Sequence, residues 1–128
     1  MPITCPIRFP RLSQAEMAAI DYEVMRHAFR AHQELGSLCD ESVYHTRLAH
    51  LLTADGFEVE CEVPVTLTFH TFIKPMFLEL VENRRGIYEL KTLGALTPAH
   101  FAQLLNYLFL SNAARGKLIN FRPASVEL

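Results

Sequence analysis

The sequence predicts a mixed α/β domain in the order helix, helix, three strands, helix, strand. Three observations carry this. From Phe57 to Phe69 apolar and polar residues alternate without a break, the period of a strand with one wet face. Ser13-Gln14-Ala15-Glu16 is a capping box, and apolar positions then recur at helical spacing as far as Gly36. Thr97-Pro98 opens a second strong helical pattern directly after an apolar, strand-like run.

Taken in order, Met1 to Leu12 carries Pro2, Pro6 and Pro10 and reads as an extended arm, packed by Ile3, Ile7 and Phe9. The first helix runs from Ser13 to about Leu35, with Ile20, Val24, Ala28, Ala31 and Leu35 near one stripe. Asp40 caps a second helix to about Ala54, with Val43, Leu48, Leu51 and Leu52 as its buried face. Glu41, Tyr44, His45 and Leu48 share a face at spacings of three and four. In the alternating run, Phe57, Val59, Cys61, Val63, Val65, Leu67 and Phe69 fall on one side, as one long strand or two with a bend. Pro64 places it at an edge or a bulge. His70 to Pro75 reads as a turn, Met76 to Val81 as a strand, Asn83 to Gly86 as a hairpin turn, and Ile87 to Leu93 as a strand. The last helix runs to about Ala113 with Phe101, Leu104, Leu105 and Leu108 inward. Gly116 ends it, and Lys117 to Phe121 is a final short strand.

The 128 residues fit one domain, residues 1–128, and half of them are hydrophobic, enough for a core without staples. No stretch approaches a membrane span, and the N-terminus lacks the pattern of a secretory signal. Cys5, Cys39 and Cys61 are odd in number and widely spaced, which predicts reduced thiols and a cytoplasmic location. The net charge of −2 excludes a protein that grips nucleic acid mainly through a general excess of basic residues. The six histidines show no zinc spacing. There is no glycine-rich phosphate loop and no nucleophile elbow, which argues against P-loop, Rossmann and serine-hydrolase chemistry.

Three constellations have chemical content. Glu79 and Glu89-Leu90-Lys91 lie on neighbouring predicted strands, so two carboxylates and an amine can converge. Carboxylate oxygens suit Mg²⁺, and a lysine beside them can offset developing charge. Taken alone, Glu-x-Lys on a strand reads more readily as a surface ion pair. His100, Gln103 and Tyr107 share one face of the last helix and read either as a polar flank or as groups that hold water or phosphate. Glu41 is either a further metal-linked acid or a carboxylate that favours the helix dipole in a first turn.

The order of these elements, an acid on an early helix, then acid and Glu-x-Lys on strands, then Gln-x-x-x-Tyr on a helix, resembles the PD-(D/E)XK nuclease superfamily in its RecB-like branch. More narrowly it is similar to the small GxxExxY protein family of bacteria. The stretches that carry the resemblance are Leu35–Tyr44, Phe77–Val81, Tyr88–Lys91, Leu96–His100, Gln103–Leu108 and Gly116–Phe121, within residues 20 to 126. The resemblance implies a restriction-endonuclease-like core, a mixed sheet flanked by helices. It implies Mg²⁺- or Mn²⁺-dependent phosphodiester hydrolysis of DNA or RNA, with nucleic acid as partner. The resemblance assigns Glu79, Glu89 and Glu41 to the metal, Lys91 as catalytic lysine, and Gln103 and Tyr107 as the supporting pair. A homodimer is a separate expectation, because a small domain with one substrate cleft often pairs to cover a longer duplex. Two positions depart from the pattern. Leu38 stands where the GxxExxY glycine is expected, and Glu79 where aspartate is usual. The alternatives kept beside a nuclease are a catalytically impaired binding or regulatory module on the same fold, and a structural subunit of a larger assembly.

Overall fold

A computed structural model describes residues 3–113, 115–124 and 126. Its elements are β1 (Ile3–Thr4), α1 (Gln14–Leu35), α2 (Glu41–Ala54), β2 (Val59–Phe69), β3 (Phe72–Glu82), β4 (Gly86–Lys91), α3 (Pro98–Ser111) and β5 (Gly116–Asn120). The strands form one sheet in the order β1-β2-β3-β4-β5. All neighbours are antiparallel except β4 and β5, which α3 joins by the crossover that a parallel pair requires. The fold is therefore a mixed five-stranded sheet flanked by helices. No helix is long and apolar enough to cross a membrane among the described residues.

Two apolar clusters lie on the two faces of the sheet. Met17, Ile20, Val24 and Ala28 of α1 and Tyr44, Leu48 and Leu52 of α2 pack against Leu80, Tyr88, Leu90, Ile119 and Phe121. On the other face Ile7 and Phe9 of the arm and Leu104 of α3 pack against Val63, Val65, Leu78, Val81, Ile87 and Leu118. Ser13 caps α1 as the motif predicts: its hydroxyl accepts from the Glu16 N–H, and Glu16 accepts from the Ser13 N–H. The arm packs through Ile7 and Phe9 and also supplies β1, where Ile3 pairs with Leu67.

Several expectations are corrected. Val43 is exposed and Tyr44 fills its place in the core, stacked on Phe121 with ring centroids 4.6 Å apart. The Tyr44 hydroxyl donates to the Gly36 carbonyl and accepts from the Cys39 N–H, which a valine could not do. The turn between β2 and β3 is only His70-Thr71, because His70 adopts the left-handed region (φ 53°) and β3 already begins at Phe72. Pro75 sits within β3 without harm, since β4 pairs only from Leu80 onward and the upper half of β3 is an edge. The alternating row of β2 does not keep one face. Phe57 and Val59 pack in the first cluster, Val63 and Val65 in the second, and Glu62 between them has φ 53°. The register to β3 continues unshifted through this flip, from Cys61↔Leu80 to Val63↔Leu78.

On α3 only Leu104 of the four residues expected inward is buried. Leu108 is half-buried, and Phe101 and Leu105 are exposed, because the helix lays a single row on the sheet and no described element covers its outer side. Asn112, in the left-handed conformation, ends α3, and Gly116 instead begins β5. A Cβ at Gly116 would lie 3.0 Å from the Ile87 carbonyl oxygen and 3.0 Å from Leu108 Cδ2. Backbone cannot retreat as a side-chain tip can. Gly116→Ala is expected to lower stability by about 1–3 kcal/mol, read as a lower denaturation midpoint with unchanged slope.

Candidate active site

The site lies where β3 and β4 part. Their pairing ends at Leu80↔Tyr88. One step further the backbone ladder is replaced by two carboxylates. The Glu79 N–H donates to Glu89 Oε1 at 3.1 Å, and the Leu90 N–H donates to Glu79 Oε1 at 2.9 Å. Each acid thus satisfies a backbone donor that the parted strands would otherwise bury unpaired, at a cost of about 1–3 kcal/mol each. Both glutamates are more than nine-tenths buried.

From α2, His45 Nδ1 lies 2.9 Å from Glu79 Oε2, so both oxygens of Glu79 are engaged. The hydrogen bond to Glu79 raises the His45 pKa above the ordinary imidazole value. Glu41, one turn earlier on α2, is raised by burial and by repulsion from Glu79, offset by Lys91 and His45. On the α3 side Lys91 Nζ donates to Gln103 Oε1 at 3.5 Å, and Gln103 Nε2 donates to the Tyr107 hydroxyl at 3.3 Å. Burial and the nearby Glu89 charge raise Tyr107. His100 is drawn away from this group, because its Nδ1 lies 3.0 Å from the Thr97 N–H at the start of α3.

The tertiary structure therefore brings Glu41, Glu79, Glu89, Lys91, Gln103 and Tyr107 to one end of the β3–β4 junction. It adds two residues that no sequence motif singles out. His45 is visible in the sequence as the residue four beyond Glu41, but nothing there aims α2 at Glu79. Glu62 reads as one of three glutamates on a wet face. Its left-handed conformation turns it toward the site, where its charge acts on Glu41, His45 and Tyr107. Four carboxylates face one lysine and one histidine, a charge excess that a hard divalent cation would relieve, although no three of their ligand atoms come within 4.8 Å of one another. Burial, with the neighbouring Glu79 charge, pushes the Glu89 pKa up to about 7 against an ordinary 4.5.

A second acidic group, Glu23, His27 and Asp55, brings its ligand atoms within 4.8 Å of one another. It already holds a cation. Arg26 Nη2 lies 2.8 Å from Glu23 and 3.1 Å from Asp55, and His27 Nε2 lies 2.9 Å from Asp55. That network ties α1 to the end of α2.

The raised Glu89 pKa sets a pH dependence for the metal-free protein. Between the ordinary value and about 7 the folded state binds more protons than the unfolded state, so stability falls as pH rises through that window. His45, also raised, acts in the same direction: its contribution is present below the ordinary imidazole value and is lost as pH rises through its folded value. In EDTA the melting temperature is expected to fall between pH 5 and pH 8. Glu89→Gln should be more stable than wild type at pH 8, by up to on the order of 3 kcal/mol, with a shallower slope. A steeper slope in that variant would contradict the assignment.

A family model for the PD-(D/E)XK nuclease superfamily matches residues 18–128. No curated protein matches the chain, and no solved structure matches it.

Proposed function

The chain belongs to the PD-(D/E)XK nuclease superfamily, and from that premise we propose that it is a Mg²⁺- or Mn²⁺-dependent nuclease acting on DNA or RNA. The observation that supports this best is the reciprocal pair Glu79 and Glu89 beside Lys91, at a point where the sheet opens. Within the superfamily we assign the chain to the RecB-like branch and the small GxxExxY family, on the Glu41…Tyr44 and Gln103…Tyr107 spacings.

In this reading Glu79 and Glu89 would hold the ion, with Glu41 as a further acid. Such an ion polarises a phosphodiester and lowers the pKa of a water bound to it. The chain's own residues do the rest. The Lys91 ammonium donates to the attacking water or to a phosphoryl oxygen and offsets the negative charge that builds there. Gln103 accepts from Lys91 and fixes its direction. Tyr107 accepts a hydrogen bond from the Gln103 amide, which leaves its own hydroxyl proton to donate outward. His45 holds Glu79 from behind.

A catalytically impaired binding module on the same fold is the second reading. One observation favours it: Glu79 stands where aspartate is usual, and the extra methylene shifts a carboxylate by about 1.5 Å. Metal titration and cleavage separate the two. The nuclease reading expects Mg²⁺ or Mn²⁺ to bind in calorimetry and to support cleavage of labelled oligonucleotides. Lys91→Ala should cut the rate by about 10²–10³ while metal still binds, and Glu89→Ala should abolish both. Cleavage undiminished in these variants would sink the assigned roles. Metal binding with no cleavage by wild type would leave the binding module.

A further inference from the structure

The N-terminal arm and the end of α3 lie on the same face of the sheet and border a cavity of about 560 Å³. Cys5, Arg8 and Arg11 line it from the arm, and Leu110, Ser111 and Asn112 from the helix. Both arginines are exposed, while Ile7 and Phe9 between and beside them are buried in the core. Arg11 donates to Asn112 Oδ1, a neutral acceptor, so its charge has no counter-ion among the described residues. Arg8 has neither a hydrogen bond nor an ion pair among them. By contrast Arg26, Arg30, Arg47, Arg84 and Arg85 all pair with acids. A cation at the C-terminal end of a helix answers the helix dipole, which accounts for Arg11 but not for Arg8.

The charge pattern says what the cavity would take. The chain has no Asp or Glu before Glu16 and none between Glu89 and Glu127, so the arm and α3 carry no acid at all. On the strands beneath, Glu58 and Glu60 stand at the entry to β2, and Arg84 holds Glu60. In a chain of net charge −2 this layer is a local basic surface of the kind a polyanion needs. Guanidinium forks match phosphate oxygens in shape as well as in charge. The cavity is also continuous with the site. Gln103, Tyr107, Leu110 and Ser111 follow one another at spacings of three and four, so they share one flank of α3. The Ser111 hydroxyl donates to the Tyr107 carbonyl on that flank. At about 1.5 Å per residue, Ser111 lies roughly 12 Å along the helix from Gln103, which meets Lys91. That is the reach of about three to four phosphates in one strand of a duplex.

Resting on the proposed nuclease activity, we infer that Arg8 and Arg11 form a phosphate-binding subsite that holds the backbone of the nucleic acid three or four phosphates from the one at Lys91. Such contacts set the register of the strand on the protein and carry no sequence preference.

Binding and cleavage are measured separately. A labelled DNA oligonucleotide, as single strand and as duplex, and the RNA strand of the same sequence are titrated by fluorescence anisotropy in Mg²⁺ at several salt concentrations. The protein carries Lys91→Ala, so that the strands survive. For every form that binds, adding Arg8→Gln is expected to make the slope of log K against log salt shallower by about 0.7–0.9, and adding Arg11→Gln as well to double that change. Near 0.1 M salt the pair should cost at least tenfold in affinity, equally for unrelated sequences. Arg8→Lys with Arg11→Lys keeps both charges and should restore the slope. Arg30→Gln removes the same charge from α1, on the other face of the sheet, and should leave the slope unchanged. Where the double glutamine variant melts early, Arg8→Gln alone decides, because it gives up no hydrogen bond. A slope that stays the same without the arginines, a slope that changes equally in Arg30→Gln, or no binding of any strand would overturn the subsite. Cleavage by otherwise wild-type protein is read alongside, where the glutamine variants should raise KM more than they lower kcat. Cleavage with indifferent arginines removes the subsite and keeps the nuclease. Arginine-dependent binding without cleavage keeps the subsite and removes the nuclease.

Discussion

The structure turns on the parting of β3 from β4 beyond Leu80 and Tyr88. A sheet that opens in its interior exposes backbone donors where water is scarce, and unpaired donors there are costly. Here the donors of Glu79 and Leu90 are taken by the carboxylates of Glu89 and Glu79. The acids therefore have a structural task, apart from the metal-binding role proposed for them. The same arrangement buries Glu89 beside Glu79; burial first, and then the Glu79 charge, raises Glu89 and leaves an imbalance that a cation would relieve. The length of Glu79 enters this geometry, because the side chain spans the gap to Leu90 and still meets His45.

The rest of the molecule holds that junction from three directions. On α2, Tyr44 fastens the loop before the helix through Gly36 and Cys39, so that Glu41 and His45 come down over Glu79. Arg122, just past β5, donates to the carbonyls of Ser37 and Cys39 and reaches that of Thr92, binding the entry of α2 to the exit of β4. Asn120 donates to the Leu93 carbonyl and accepts from its N–H, which keeps the end of β4 against β5. On the opposite side α3 sets Gln103 and Tyr107 beside Lys91, at a spacing fixed by the close approach of Gly116 to Leu104 and Leu108. A change at any of these supports would reach the site through geometry rather than through contact with a substrate.

Charge is distributed to the same end. The chain is slightly acidic, and many of its basic side chains lie in ion pairs on the far helices and turns. The cluster of four glutamates is neutralised only in part by Lys91 and His45. Beside it lies a long stretch of strand without any acid. Acidic notch and acid-free ribbon are successive parts of the same hairpin, divided at Glu62, where the backbone enters the left-handed region and the apolar row changes face.

By itself the sequence determined what depends on neighbouring residues. The capping box at Ser13, the Thr97-Pro98 start of α3, the limits of α1 and α2 and the strand character of 57–69, of which 59–69 forms β2, follow from local hydrogen bonding and periodicity and are present in the fold. The order Glu41, Glu79, Glu89, Lys91, Gln103, Tyr107 was legible too, and with it the superfamily. What only the tertiary structure decided depends on partners distant in the chain. Val43 yielded to Tyr44 because the core needed a ring against Phe121 and a hydroxyl for Gly36. Phe101 and Leu105 stayed in water because a helix on one sheet buries one row. The face change at Glu62 was hidden because alternation records period and not twist. His45 joined the carboxylates because α2 crosses the sheet at that height, which no spacing along the chain encodes.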